Sequence, residues 1–290
     1  FYKGGSSGID IYRTLATGLD GSPMNAYDYI SDLERWNLVH FLQSLHDIKR
    51  GKNLSVTNEI ISQRIDSKIT PVLEESIWEM ARESMVSLRP LRARKDPLTQ
   101  LAIQSVYNKN KIAIKIKWAD STADSIINNN YIDQSAIQFA VGDLDIENSP
   151  FYGMGEKGKL VNIWNWKADV RQKIIKNGKP NQEKTSKIPS ALAKMFVNPF
   201  TESSVEEMNS KGIGALTVQP LEDQKVEGKG YWRNGYWSVV FVRNLKATKK
   251  WDIDFSFKNQ VVLAFALWDG NKKDMSANKM VSFWQTMNFR

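Results

Sequence analysis

The sequence predicts a mainly β protein, an antiparallel β-sandwich preceded by a small α-helical segment. Beyond residue 69, several apolar segments have the length of a strand, and most of them alternate apolar and polar residues with a period of two. Turn-forming residues separate these segments without a strand–helix–strand rhythm, which favours antiparallel pairing in a sandwich or a barrel. Helical spacing of apolar residues is clear only in the first fifty residues.

The helical segment, residues 1–48, is predicted to contain two short helices joined by a turn. Residues 9–19 have apolar side chains at helical spacing, and residues 32–45 carry a broad apolar stripe that Asp28 or Ser31 would cap. The turn lies in residues 18–24, where glycine, serine and proline disfavour a helix. Two helices of this length cannot bury a core of their own, so the segment is interpreted as half of a domain.

A polar linker is predicted for residues 49–68, and the main domain is expected to cover residues 69–290. Residues 112–118 alternate large apolar side chains with alanine and lysine, which is typical of a half-buried strand. Residues 261–268 are continuously apolar, which predicts a central strand.

Further strands are predicted at residues 135–141, 160–166, 231–245 and 280–289, with a turn at Asn234-Gly235. Between the second and third of these, residues 170–230 are polar and rich in lysine. A segment of this length with little predicted structure suggests an insertion that contacts a partner.

Composition excludes several kinds of site. The 290 residues contain no cysteine and two histidines, which excludes disulfides, thiolate metal sites and iron–sulfur clusters and disfavours a Ser-His-Asp triad. The net charge of +8 favours acidic partners, but the charges are scattered, and an ordinary solvated surface is the preferred interpretation. No apolar run is long enough to span a membrane, and no leader opens the sequence, so the protein is either not secreted or has lost a leader.

The segment 149–169 concentrates aromatic residues, glycines and one methionine, Met154, which lies between Gly153 and Gly155. Flanking glycines allow close backbone approach and positive φ angles, so Met154 is either a soft apolar plug or a thioether ligand. The pattern alone favours the plug. Of the ten tryptophans, eight lie in the main domain beyond Trp78, an excess that a flat apolar ligand or a sugar-binding platform would explain.

The helical segment resembles the C-terminal half of a class I c-type cytochrome. The resemblance rests on IYRT (11–14), GLDGSPM (18–24) and WNLVHFL (36–42). In that family the methionine of this turn ligates haem iron, which implies Met24 as a ligand of haem c. The attachment motif C-x-x-C-H does not occur in the sequence, so either the other half of the domain is missing or the domain has lost its haem.

The main domain resembles the haem b-binding gamma subunits of ethylbenzene dehydrogenase-type molybdoenzymes. The resemblance is carried, in chain order, by IKWAD (116–120), DQSAIQF (133–139), MG (154–155) with VNIWNWKA (161–168), GYWSVVFVR (235–243), VLAFALWDG (262–270) and NKMVSFW (278–284). Members of the family hold one haem b in a β-sandwich between a methionine and a lysine. The resemblance implies Met154 and Lys279 as these ligands, although Lys272 and Lys273 lie close to Lys279 in sequence.

The same resemblance suggests the remainder of the site. A lysine can ligate iron only as the neutral amine, which burial favours. The expected apolar wall consists of Trp164, Trp166, Phe265 and Trp284, and Arg243 or Lys167 is expected to pair with the haem propionates.

The implied function is electron transfer rather than catalysis. Family members relay electrons between the iron–sulfur beta subunit of a complex, whose alpha subunit carries molybdopterin, and an external carrier such as cytochrome c, on the periplasmic side of the membrane or in an equivalent lumen. The fused cytochrome-like segment is most similar to the corresponding subunit of nitrite oxidoreductases. Two alternatives remain open, a carbohydrate-binding β-sandwich and a haem-free structural subunit.

Overall fold

The fold was analysed in a computed structural model. It describes residues 5, 7–19, 22–47, 59–73, 75–92, 94–125, 131–142, 144–168, 173–176, 179–180, 203–256 and 258–290. The side chains of residues 41, 43–47, 75, 173–176 and 179–180 are outside this description. Within these limits, no helix is both long enough and apolar enough to cross a bilayer.

Two helices, α1 (Gly8–Thr17) and α2 (Asp32–Asp47), confirm the predicted helical pair. The Ser7 hydroxyl accepts a hydrogen bond from the Asp10 amide at 3.2 Å, which satisfies one of the free N–H groups at the start of α1. The Ser31 hydroxyl accepts in the same way from the Glu34 amide at 3.3 Å, so Ser31 is the cap of α2. The Glu34 carboxylate in turn accepts hydrogen bonds from the Ser31 hydroxyl at 2.7 Å and the Ser31 amide at 2.9 Å, which lower the pKa of the Glu34 carboxyl.

The remaining elements within the described residues are one five-residue α-helix, one 3-10 helix (Leu221–Asp223) and sixteen strands. The α-helix is α3 (Glu75–Glu79). The strands are β1 (Glu59–Arg64), β2 (Ser84–Ser87), β3 (Arg89–Pro90), β4 (Gln100–Tyr107), β5 (Lys111–Ala119), β6 (Gln134–Ala140), β7 (Val161–Lys167), β8 (Lys173–Lys176), β9 (Lys179–Pro180), β10 (Val205–Ser210), β11 (Thr217–Val218), β12 (Glu227–Arg233), β13 (Tyr236–Asn244), β14 (Gln260–Trp268), β15 (Met280–Val281) and β16 (Gln285–Phe289).

The strands form one continuous sheet that folds over into two layers. The first layer has the order β11-β10-β7-β6-β14-β16, and the second continues as β1-β4-β5-β13-β12-β8-β9. Neighbours are antiparallel except that β1 pairs in parallel with β16 and β4, and β12 pairs in parallel with β8. The main core lies between the layers and contains side chains from both, such as Phe139 and Phe265 from the first and Ile114 and Phe241 from the second. The predicted antiparallel sandwich is therefore confirmed.

Strand β14 explains why residues 261–268 are continuously apolar. Leu263 and Phe265 point into the main core, whereas Val262 and Ala264 point to the opposite face of the first layer and are buried there as well. A strand that is covered on both faces needs apolar residues at every position. The prediction of a central strand is confirmed.

The predicted linker is wrong over residues 59–64, which form the strand β1 between β16 and β4. Ile60 and Ile61 are adjacent rather than alternating, because both faces of this short strand are covered. The period-two signal is therefore missing. Residues 49–58 lie outside the described part of the chain.

The predicted insertion is also wrong for residues 203–230, which supply β10, β11 and the start of β12. Strand β10 pairs with β7 along its whole length, although its sequence VEEMNS is polar. Its buried Glu207 lies 3.2 Å from Arg243, a partner that is distant in sequence. The lysine-rich residues 181–202, including the apolar segment 189–196, lie outside the described residues.

Two further strand predictions can be compared with the fold. Residues 227–244 form a hairpin whose turn residues Asn234 and Gly235 have φ angles of 50° and 82°, as the Asn-Gly signal predicts. Residues 280–289 do not form one strand. They form β15 and β16, and β15 pairs with both β14 and β3.

Candidate functional site

A floor of small side chains lies on the outer face of the first layer, away from the main core. Ala136 and Ala140 of β6 and Ala264 and Ala266 of β14 belong to the outer apolar cluster, and we call these four residues the alanine floor. Ala136 pairs directly with Ala266, and Gln138 pairs with Ala264. Ala136, Ala140 and Ala264 are buried and Ala266 is partly buried, so these small side chains lie beneath the larger members of the outer cluster.

The segment that carries Met154 is fixed above this face by two hydrogen bonds from the first layer and its edge. The Gln138 side chain donates to the Tyr152 carbonyl at 2.9 Å. The Trp284 indole donates to the Pro150 carbonyl at 2.7 Å, and its ring packs in the same outer cluster as the alanine floor. The half-buried Met154 follows this anchored stretch directly in the sequence.

Met154 itself adopts a left-handed backbone conformation, with φ at 86°. This conformation costs a non-glycine residue about 1–3 kcal/mol, and it persists only where the surroundings impose it. Here the Gly212 amide donates to the Met154 carbonyl at 3.1 Å, and the Gly155 amide donates to the Phe151 carbonyl at 3.0 Å. At Gly155, where φ is 84°, an added Cβ would lie 3.1 Å from the Ser210 carbonyl oxygen. The flanking glycine expected from the sequence is thus required at position 155.

Lys279 approaches the same face from the other side. The next residue, Met280, begins β15 and points into the main core, so Val281 points away from it. The Lys279 Nζ lies 4.7 Å from the centroid of the Trp268 ring, and Trp268 packs in the outer cluster. Among the described residues, no oxygen accepts a hydrogen bond from this Nζ. Burial lowers the pKa of the Lys279 amine to about 8.

The two lysines near Lys279 in sequence have different surroundings. Lys272 is exposed, and its Nζ lies 3.1 Å from the Asp96 carbonyl oxygen and 3.2 Å from the Asp269 carboxylate. Lys273 is exposed as well. Of the three, Lys279 alone combines partial burial with an amine that has no oxygen acceptor among the described residues.

The predicted wall residues are divided between the two faces of the first layer. Trp164, Trp166 and Phe265 lie in the main core, where Trp166 contacts Trp237 edge-on with ring centroids 5.0 Å apart. Trp284 is on the outer face with the alanine floor. The sequence WNW places Trp164 and Trp166 on one face of β7, but the period alone does not say which face.

Arg243 is predicted to face a haem propionate. In the structure its side chain lies inside the main core instead, which disagrees with that prediction. Its Nη1 lies 3.2 Å from the Glu207 carboxylate, and its Nη2 donates to the Ile253 carbonyl. Burial raises the pKa of Glu207, and the charge of Arg243 opposes that effect. The alternative, Lys167, forms an ion pair with Glu206 at 2.6 Å. Neither cation is therefore free for a ligand on the outer face.

The sequence of the chain was compared with those of known protein families. Residues 75–280 match the family described as ethylbenzene dehydrogenase. The chain belongs to the ethylbenzene dehydrogenase family. The match covers most of the sandwich, including the segments of Met154 and Lys279 and the alanine floor.

Two curated relatives were found. One is the ORF7 protein of Haloferax mediterranei, named provisionally as a respiratory nitrate reductase heme subunit, which is 26% identical over 63% of this chain and 54% of its own length. The other is the chlorate reductase subunit gamma of Ideonella dechloratans, which is 23% identical over 64% of each chain. This chain therefore spans between about half and two thirds of the length of the relatives it matches.

Solved structures give weaker similarities. A carbohydrate binding module family 9 from Caldicellulosiruptor kristjanssonii in complex with cellotriose is 10% identical over 80% of this chain and 93% of its own, with a TM-score of 0.39. The same kind of module in complex with glucose is 9% identical over 80% of this chain and 95% of its own, again with a TM-score of 0.39. Similarities at this level carry no argument about function.

The sequence blocks that carry the family resemblance also contain a group of carboxylates that was not predicted as a site. Asp120, Asp133 and Asp269 have carboxylate oxygens within 4.8 Å of one another. Asp133 accepts hydrogen bonds from the Gly270 amide at 2.9 Å and from the Trp237 indole at 2.9 Å. Burial and the neighbouring Asp120 raise the pKa of Asp133 to about 8. Asp120 directly follows β5, Asp133 directly precedes β6 and Asp269 directly follows β14. The signal for the group was an aspartate at or next to the end of three blocks.

In the helical segment, the predicted haem c ligand Met24 is half-buried. It packs against the cluster formed by Ile11, Leu15 and Val39. Its carbonyl accepts a hydrogen bond from the Leu19 amide at 3.1 Å, which closes the predicted turn. Its role as a ligand stays a prediction.

Proposed function

We propose that this chain is a haem-binding electron-transfer subunit of a molybdenum oxidoreductase complex, in which Met154 and Lys279 would hold one haem b beside the alanine floor. The observation that carries the proposal is Lys279. It is a partly buried amine with a lowered pKa and no oxygen acceptor in the described chain, and it lies over the ring of Trp268, which packs in the outer apolar cluster. A buried lysine without a partner is costly, which makes it a candidate for a functional role.

The residues present fit the chemistry of a haem. A thioether is a soft ligand for iron, and an amine ligates when it is neutral, as burial of Lys279 favours. The outer cluster would give a macrocycle apolar contacts, and the alanines are its smallest side chains. When bound, the haem supplies reversible one-electron chemistry.

The chain's own residues position the ligands and exclude water. The left-handed turn fixes Met154, and a thioether ligand raises the reduction potential of iron. Trp268 stacks under the Lys279 amine, and Trp284 anchors the Met154 segment through the Pro150 carbonyl. The proposed wall therefore consists of Trp284, Trp268 and Tyr152, and it leaves out Trp164, Trp166 and Phe265.

The partners follow from the relatives and remain part of the proposal. The named relatives are subunits of nitrate and chlorate reductases, which supports association with an iron–sulfur beta subunit and a molybdopterin alpha subunit. An external cytochrome c would exchange electrons with the complex in the periplasm or an equivalent lumen. A similarity to nitrite oxidoreductase rests on the helical segment, where Met24 would ligate a haem c.

The eight tryptophans that suggested a sugar-binding platform are not exposed in the fold. Such platforms use exposed aromatic rings. Of the eight tryptophans beyond Trp78, Trp251 and Trp268 are half-buried and the other six are buried. A haem-free structural subunit would leave the buried amine of Lys279 without a role.

Titration of the full chain with haemin tests the proposal. We expect binding of one haem per chain, with a six-coordinate low-spin absorption spectrum in the oxidised and the dithionite-reduced protein. In parallel, glucose and cellotriose are titrated by calorimetry as a control for sugar binding. A haemin titration without a saturable spectral change would contradict the proposed function.

A further inference from the structure

Arg89 lies between the two segments that carry the proposed ligands. It is on β3, directly opposite Val281 of β15. Directly opposite residues in an antiparallel pair project to the same face, and residues two apart on a strand do so as well. Arg89 and Val281 therefore share the side that faces away from the main core, and two residues beyond Arg89 the Leu91 amide donates to the Lys279 carbonyl at 3.0 Å.

The Arg89 side chain continues toward the Met154 segment through two aromatic rings. Its guanidinium carbon lies 4.6 Å from the centroid of the Phe283 ring. Phe283 contacts Tyr152 edge-on at 5.1 Å, and Tyr152 packs in the outer cluster with the alanine floor. The charge of Arg89 also reaches the Tyr152 phenol, where it opposes the rise in pKa that burial causes.

The hydrogen-bonding capacity of this guanidinium is not used within the described residues. No carboxylate there forms an ion pair with Arg89, in contrast to Arg94, Arg243 and Arg290. Stacking on Phe283 occupies the face of the guanidinium and leaves its N–H edges available. These edges match the two oxygens of a carboxylate, and the Tyr152 hydroxyl nearby can donate one more hydrogen bond.

We propose that Arg89, assisted by the Tyr152 hydroxyl, binds a propionate carboxylate of the haem. The inference rests on the proposed haem site. It replaces the pairing with Arg243 that the sequence suggested, and it orients the propionate edge of the macrocycle toward β3. It also explains why an arginine is held by an aromatic ring at the edge of an apolar face.

The test compares haemin with haemin dimethyl ester, which lacks both carboxylates. The full-length wild type and the variants Arg89→Gln and Arg89→Lys are titrated with each ligand. Arg233→Gln, which removes an exposed arginine from the β12–β13 turn, is the matched control. Circular dichroism verifies that each variant is folded. Arg89 is exposed, so we expect its replacement to leave the fold intact.

We expect Arg89→Gln to lower the affinity for haemin by about fivefold, with partial recovery in Arg89→Lys, since the lost contact is a partly exposed charge-assisted pair. The dimethyl ester should bind the wild type and Arg89→Gln equally well, and Arg233→Gln should match the wild type with both ligands. Equal haemin affinities of Arg89→Gln and the wild type would overturn the inference and leave the haem site standing. A wild type that fails to bind haemin would overturn both.

Discussion

Replacement of Lys279 by alanine is expected to lower the affinity of the chain for haem by at least about tenfold, because an axial ligand is lost. The remaining complex should change from six-coordinate low-spin to five-coordinate high-spin, or take water as its sixth ligand. Met154→Ala should have the same kind of effect. The absorption spectrum and the haemin titration measure both changes.

The pH dependence separates a ligand from a merely structural lysine. Below a pH of about 8, the pKa to which burial lowers the Lys279 amine, a proton competes with iron for the same lone pair. The haem affinity of the wild type should therefore rise with pH up to about 8 and level off above it, and Lys279→Ala should lack this dependence. Lys272→Ala, which changes a solvent-exposed lysine, is the control. A Lys279→Ala variant with an unchanged spectrum would exclude the ligand assignment.

Replacement of Arg243 by methionine is expected to lower the free energy of unfolding by about 3–5 kcal/mol, because it leaves the carboxylate of Glu207 buried without its partner. Arg243 and Glu207 are both almost fully buried, and their charged atoms lie 3.2 Å apart. The variant also removes the hydrogen bond from Arg243 to the Ile253 carbonyl. Urea denaturation followed by circular dichroism measures the loss.

The double variant Arg243→Met with Glu207→Leu is the control for this pair. Removal of both charges should recover most of the lost stability, since the cost arises from the uncompensated carboxylate. The haem affinity of the folded Arg243→Met protein should equal that of the wild type, because Arg243 lies in the main core and not on the outer face. A selective loss of haem affinity would instead favour the sequence-based role of Arg243 as a propionate partner.

The elements that the sequence predicts well are those whose signal is local. Strand β5 alternates because only one of its faces meets the main core, and Asn234-Gly235 specifies a tight hairpin turn. Strand β10 was missed because the burial of Glu207 depends on Arg243, which is 36 residues away. A polar strand of this kind cannot be distinguished from a loop until its partner is known.

The site shows the same limit. The family's blocks direct attention to Met154 and Lys279, whose role as ligands stays a prediction. Which side of β7 carries Trp164 and Trp166 depends on how the layers pack, and the period of two leaves that choice open. Arg89 was missed because its neighbours Phe283 and Tyr152 come from two distant loops.

The most direct test of the haem site is the location of iron in crystals of the haem-loaded chain, by anomalous diffraction at the iron edge. We expect a single iron peak beside the alanine floor, with the iron bonded to the Sδ of Met154 and the Nζ of Lys279. A peak in the main core beside Trp164 and Trp166, or iron bonded to other side chains, would contradict this expectation.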